Sequence, residues 1–172
     1  QMSESMAERT DPHKLRPYHI ILLVKNPTGL KNLYKIVSNG YLKYYYRHPR
    51  IPKTELTDLR EGIILGSACI EGELASAVLD GKTWDELLSI AEFYDYLEIQ
   101  PICNNEFLIG SKGITRDTLI EINKMIVKIG DTLGKPVVAT CDAHYLEDYD
   151  GISRNVLLRG IGMKDGDRDS HL

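Results

Sequence analysis

Four short runs rich in isoleucine and valine, separated by longer stretches of helical spacing, constrain this chain more than any other feature of its 172 residues. The runs are His19–Val24, Gly62–Leu65, Tyr96–Ile99 and Pro136–Thr140. Strand and helix alternating in this way argue for a parallel sheet or a β/α barrel, because parallel neighbours need a long crossover and a helix supplies it. Four strands do not close a barrel, since side-chain-filled barrels need about eight. The expected fold is therefore α/β, a partial β/α barrel of about four strands with intervening helices.

The helices carry their own punctuation. Asn26 is placed to cap the first, with Pro27 at the position where a missing N–H does no harm, and Leu30, Leu33, Ile36 and Val37 are expected to form its apolar face. Thr83-Trp-Asp-Glu86 and Thr118-Leu-Ile-Glu121 both have the capping-box pattern. The second is followed by Leu119, Ile122, Met125, Ile126, Ile129 and Leu133 along one side, and Gly134 with Pro136 ends that helix. The next segment, Val137–Thr140, reads as a buried strand. Residues 1–16 lack hydrophobic periodicity and read as a tail or linker, 17–160 as the ordered body, and 161–172 as a flexible end. A first residue that is Gln, not Met, suggests a piece of something longer.

The net charge of −4 conceals an asymmetry. Residues 1–60 carry 11 Lys+Arg against 5 Asp+Glu, and residues 61–172 carry 10 against 20. Six cations between Lys31 and Lys53 meet no acidic residue. Three cysteines do not make a disulfide framework in a chain this long, so they are expected reduced unless one holds a metal. The longest apolar run, Ile20–Val24, has five residues against the roughly 20 of a membrane span, and no apolar leader opens the chain. A cytoplasmic protein with no membrane partner is expected.

Chemistry concentrates after the strands. In Thr140-Cys-Asp-Ala-His144, Asp142 and His144 are two residues apart and project together at a strand's carboxyl end, where β/α folds keep their sites. They offer an oxygen and an imidazole to a divalent cation, or else a helix cap and a backbone-satisfied histidine. Cys69, in the turn Leu65-Gly-Ser-Ala-Cys-Ile-Glu-Gly-Glu73, is a soft ligand suited to zinc or simply a small buried hydrophobe. His19 reads locally as a core histidine. Glu98 either points at a site from its strand or pairs with a neighbouring cation. The segment Asn39–Lys53 interleaves four tyrosines with Lys43, Arg47, Arg50 and Lys53. Phosphates attract such cations and rings such as Tyr45 stack on unpaired bases, while the alternative is a packed helix with a solvated basic rim. No Gly-rich phosphate loop, serine nucleophile elbow or Cys-x-x-Cys pair is present.

The blocks PYHIILLVKNPTGLKNLYKIVS, RIPKTELTDLREGIILGSACIEGEL, FYDYLEIQP and GKPVVATCDAHYL together resemble the PHP (polymerase and histidinol phosphatase) domain of bacterial replicative DNA polymerase III alpha subunits of the PolC type. The resemblance implies a distorted β/α barrel, here its carboxyl-terminal part, with an exonuclease domain inserted ahead of the block that begins at Pro17. It places His19, Cys69, Asp142 and His144 at positions that hold metal ligands in the family, with zinc or manganese as candidates and magnesium for the parent polymerase. The family's opening His-x-His and its other early ligands have no counterpart here, nor do the polymerase carboxylates. The implied role is a fragment of a DNA-directed DNA polymerase, with a structural or vestigial metal site and no catalytic residue of its own. Its implied partners are DNA, other replisome subunits, the remaining PHP half and the polymerase domain. A metal-dependent phosphoesterase or 3′–5′ exonuclease is the alternative.

Overall fold

In a computed structural model of the chain, residues 15–110, 113–141, 143, 146–147 and 149–160 are described. The flexible end expected at 161–172, and all but the last two residues of the expected tail, lie outside them. The elements run β1 (Ile21–Val24), α1 (Pro27–Leu42), α2 (Lys53–Asp58), β2 (Ile63–Gly66), α3 (Glu73–Leu79), α4 (Trp84–Glu92), β3 (Leu97–Ile99), a 3-10 helix (Ile102–Leu108), α5 (Arg116–Leu133), β4 (Val137–Ala139) and α6 (Asp150–Gly160). All four strands fall on the four Ile/Val runs. They form two two-stranded sheets, β1–β2 and β3–β4, and no barrel closes among the described residues. The fold is mixed α/β, and the chain divides into two units at Leu65/Gly66.

In the first unit, α1 begins as the sequence requires. The Asn26 side chain accepts a hydrogen bond from the Gly29 N–H at 2.9 Å, and Pro27 opens the helix. The helix does not turn its expected face inward. Gly29, Asn32, Ile36 and Gly40 are buried, whereas Leu30 and Val37 are exposed. The reason is steric: a Cβ on Gly29 would lie 1.8 Å from the carbonyl oxygen of Gly62, so two glycine backbones meet where any side chain would hold the helix away. Gly62 itself has φ +73°, a conformation that glycine adopts without strain. Asn32 then reaches the Glu61 carbonyl at 3.0 Å, and Leu56 of α2 and Ile63 of β2 are buried in this unit.

In the second unit, α3, α4 and α5 pack together, and α5 lies along β3 and β4. The strands β3 and β4 are parallel, with Leu97, Glu98 and Ile99 opposite Val137, Val138 and Ala139. Leu119, Ile122, Ile126 and Ile129 of α5 are buried, as its spacing requires, and Gly134 ends the helix at φ 63°. The expected start is corrected. The capping residue is Thr115, paired reciprocally with Thr118, and the helix begins at Arg116. The buried Ile114 and Leu119 stand at the two positions of a hydrophobic staple around Thr115, an anchor that Thr118 lacks. Thr83 and Glu86 form the expected capping box on α4. Hydrogen bonds from the Thr83 main chain and hydroxyl hold the Glu86 carboxyl down at about 2. The far end of α4 is closed by the Lys135 ammonium, which donates to the carbonyls of Ala91 at 3.0 Å, Glu92 at 2.8 Å and also Tyr94. The strand β4 is more exposed than expected, with Val138 and Ala139 at the surface and Val137 half-buried against Gly130.

Alanine is favoured over glycine inside a helix by about 1 kcal/mol, so the sign of one substitution is diagnostic. Gly29→Ala is expected to lower unfolding free energy by about 1–3 kcal/mol, as overpacking does, in urea melts. A gain in stability would contradict the close approach of α1 to Gly62.

Candidate metal centre

Parallel strands end on the same side, so in the second unit the segment after β2, the end of β3 and the end of β4 gather at one rim. Gly66 bridges Tyr96 in parallel, the Ser67 N–H donates to the Tyr96 carbonyl at 3.3 Å, and the Glu98 N–H donates to the Ser67 hydroxyl at 2.9 Å. On the other side of β3, the Thr140 N–H donates to the Ile99 carbonyl at 3.0 Å. Asn104, in the 3-10 helix, donates from its side chain to the Cys141 carbonyl. These contacts fix the backbone immediately before Asp142.

The turn that carries Cys69 is held in an unusual conformation. Ala68, buried, has φ 59°, the left-handed region, which costs a non-glycine residue about 1–2 kcal/mol. The turn closes through the Gly72 N–H, which donates to the Cys69 carbonyl at 2.8 Å. A Cβ on Gly72 would lie 2.2 Å from the Ser67 carbonyl, so this position admits only glycine. Strain kept in a buried turn marks a place where side-chain direction is fixed by its surroundings. Cys69 is half-buried there and is not in a disulfide.

Glu98 is the centre of the rim. It is 6% exposed, and its Oε2 accepts from the Thr140 hydroxyl at 2.9 Å. Its Oε1 is buried with no hydrogen-bond partner among the described residues. An unsatisfied buried acceptor costs about 1–3 kcal/mol, and more when charged. Cys69, Glu98, Gln100 and Asn105 line one small cavity of about 10 Å³ in this unit. Among the described residues, no Lys, Arg or His lines it. Burial, and then a hydrogen bond to the Glu98 carboxylate and its charge, push the Tyr96 hydroxyl up to about 12.

The four expected ligands are distributed as follows. Cys69 stands at this rim. His19 is exposed and belongs to the first unit, two residues ahead of β1. Asp142 and His144 lie outside the described residues. Among the described residues no three His, Cys, Asp or Glu side chains come close enough to hold a metal ion. The described part of the rim has a thiol, Cys69, and a buried carboxylate, Glu98. Ser67, Thr140 and Asn104 carried no sequence signal as site residues. Glu98 and Gln100 did carry one, two polar residues two apart on one face of an otherwise apolar strand.

The basic segment of the first unit is also exposed. The Tyr41 and Tyr45 rings stack at 6.0 Å between centroids, and Arg47 and Arg50 lie 5.5 Å and 5.0 Å from the centre of the Tyr46 ring. Tyr41, Tyr45 and Tyr46 are at the surface, so these rings do not pack α1 onto its sheet. Tyr44 hydrogen-bonds Glu55, which raises its pKa from the ordinary tyrosine value. Lys31, Lys35 and Lys43 line a groove between α1 and α2 with Tyr34 and Tyr44.

The PHP domain family matches residues 3–101 of the chain. The curated proteins similar to it include the DNA polymerase III PolC-type of Clostridium perfringens, 51% identical over 99% of this chain and 12% of that protein. That of Halalkalibacterium halodurans is 47% identical over 94% of the chain, and that of Staphylococcus aureus 44% over 92%. The chain spans only 11–12% of the length of these relatives. No helix among the described residues is long and apolar enough to cross a membrane.

Two outcomes test the geometry of the rim. Thr140→Val removes the hydrogen bond that the Thr140 hydroxyl donates to Glu98 Oε2 and is expected to lower stability by about 1–3 kcal/mol in denaturant melts. Because the Tyr96 pKa is raised, its protonated form stabilises the fold fully below pH 10 and that contribution disappears as pH rises toward about 12. Tyr96→Phe is therefore expected to lose less melting temperature than the unmodified chain between those two values.

Proposed function

The chain belongs to the PHP domain family, and from that premise we propose that it is the carboxyl-terminal part of the PHP domain of a replicative, PolC-type DNA-directed DNA polymerase. Identity of 44–51% to proteins of that name over nearly the whole chain carries this reading. In it, residues 17–160 contribute four strands to a distorted β/α barrel that the remaining PHP half completes. The role is structural, in a cytoplasmic replication protein that works with DNA and other replisome subunits. Nucleotide transfer, with its magnesium, belongs to other domains of the parent protein.

Within this reading His19, Cys69, Asp142 and His144 hold a divalent cation, which draws together chain segments distant in sequence and so stabilises the barrel. What supports it is the donor set at the rim: a cysteine fixed by a strained turn, a buried carboxylate, and a β4 end held by Asn104 immediately before Asp142. A cation bound only by the folded state adds stability by mass action. In the full-length protein, Asp142→Asn with His144→Ala is expected to remove bound zinc or manganese and to lower the melting temperature by several degrees. Unchanged metal content and melting temperature would contradict the assignment.

A second contact is proposed for the first unit. The exposed, stacked Tyr41–Tyr45 pair and the Arg47 and Arg50 guanidinium groups suit single-stranded nucleic acid, with Lys43 and Lys53 beside them in sequence. Neutralising Lys43, Arg47 and Arg50 together is expected to weaken binding of the full-length protein to single-stranded DNA and to flatten the salt dependence by about 0.7 per lost phosphate contact. An unchanged slope in a salt titration would assign these cations to a solvated rim.

A further inference from the structure

We propose that the groove between α1 and α2 carries a single strand of nucleic acid onward from the Tyr41–Tyr45 pair, with phosphates on Lys31, Lys35 and Lys43 and a base on the Tyr34 ring. The inference rests on the nucleic-acid reading above and adds to it Lys31, Tyr34 and Lys35, which neither that reading nor the family resemblance assigns. Three observations carry it. The groove has a volume of about 820 Å³, the scale of a site for an extended ligand and not for one ion. Lys31, Lys35 and Lys43 line it, and none of the three is in an ion pair among the described residues. Glu55, on the α2 wall, is already engaged, accepting from the Asn39 side-chain amide and hydrogen-bonded by Tyr44.

Among the described residues Asp58 is the one other carboxylate of the lining, so the three lysines exceed what the groove itself offers them. Lys31 and Lys35 stand four apart on α1, where like charges repel, and no acidic residue lies between Lys31 and Lys53 in sequence. An anion from outside satisfies such a row, and an open groove takes one that is extended. The aromatic rings decide which polyanion fits. Tyr34 is 64% exposed at the groove, and Tyr41 follows two helical turns later on the same row, about 10 Å along the axis, stacked on Tyr45. Lys43 and Tyr44, which line the groove, adjoin Tyr45 in sequence, so the two contacts are continuous. Bases stack on such rings while phosphates meet the cations, and one strand supplies both. An acidic peptide would meet the lysines and leave the rings unused.

The test uses the full-length protein and oligo(dT) carrying a photoreactive thymine, with cross-links located by mass spectrometry and binding followed through a salt titration. Adducts are expected at Tyr34 as well as at Tyr45. Lys31→Ala with Lys35→Ala is expected to remove the Tyr34 adduct, to keep the Tyr45 adduct, and to flatten the salt dependence by about 0.7 for each lost phosphate contact. Both lysines are exposed on a helix, where alanine is favoured, so this variant keeps the fold. Lys31→Arg with Lys35→Arg is expected to match the unmodified protein, because the charge is what binds. A salt slope and adduct pattern unchanged in the alanine variant would overturn the proposal. Adducts at Tyr45 with none at Tyr34 in the unmodified protein would overturn it alone, whereas adducts at neither would overturn the reading on which it rests. Poly-glutamate that displaces the strand from Tyr34 at lower concentration than unlabelled oligo(dT) does would assign the groove to an acidic protein partner and overturn it as well.

Discussion

The hydrogen bonds on either side of Glu98 hold the second unit's rim together. Its N–H is bonded to Ser67, ahead of Cys69, and its carboxylate to Thr140, two residues before Asp142. Three chain segments far apart in sequence are tied at one short strand, and each tie is a side-chain hydroxyl meeting a partner on β3. Neutral hydrogen bonds contribute about 1 kcal/mol each, and those to a charged group about 1.5–3. The larger effect is directional: with the backbone fixed at Ser67, Glu98 and Thr140, the segments that follow leave the sheet at the same edge. A bound cation at that edge would work on an arrangement already in place.

Much of the secondary structure was legible because the relevant signals are local. The four Ile/Val runs became four strands, Asn26-Pro27 capped α1, and Thr83 with Glu86 capped α4. Thr118-Leu-Ile-Glu121 was misleading because two threonines three apart each satisfy half of the pattern. Burial of Ile114, which no local rule weighs, decided for Thr115. Lys135 closing α4 was likewise invisible, since 40 or more residues separate it from the carbonyls it caps.

The first unit shows why periodicity alone leaves a helix's orientation undecided. Along α1, Leu30, Tyr34, Val37 and Tyr41 recur at helical spacing and are all exposed, while the inward row holds two glycines and an asparagine. Hydrophobicity favours the first row, but backbone approach at Gly62 selects the second. For the site, the sequence pointed to Cys69 through its strand-end position and to Asp142 and His144 through their spacing, and the family resemblance added His19. It left Glu98 between two readings, and the Thr140 hydroxyl from which its carboxylate accepts lies 42 residues away, beyond any local rule.

The proposed divalent cation at this rim is held by sulfur together with nitrogen and oxygen. X-ray absorption at the zinc edge of the zinc-loaded full-length protein tests it most directly. The expected first shell contains one sulfur at about 2.3 Å with nitrogen and oxygen ligands at about 2.0–2.2 Å, the sulfur vanishing in Cys69→Ser. A shell of nitrogen and oxygen alone in the unmodified protein, unchanged by that substitution, would contradict it.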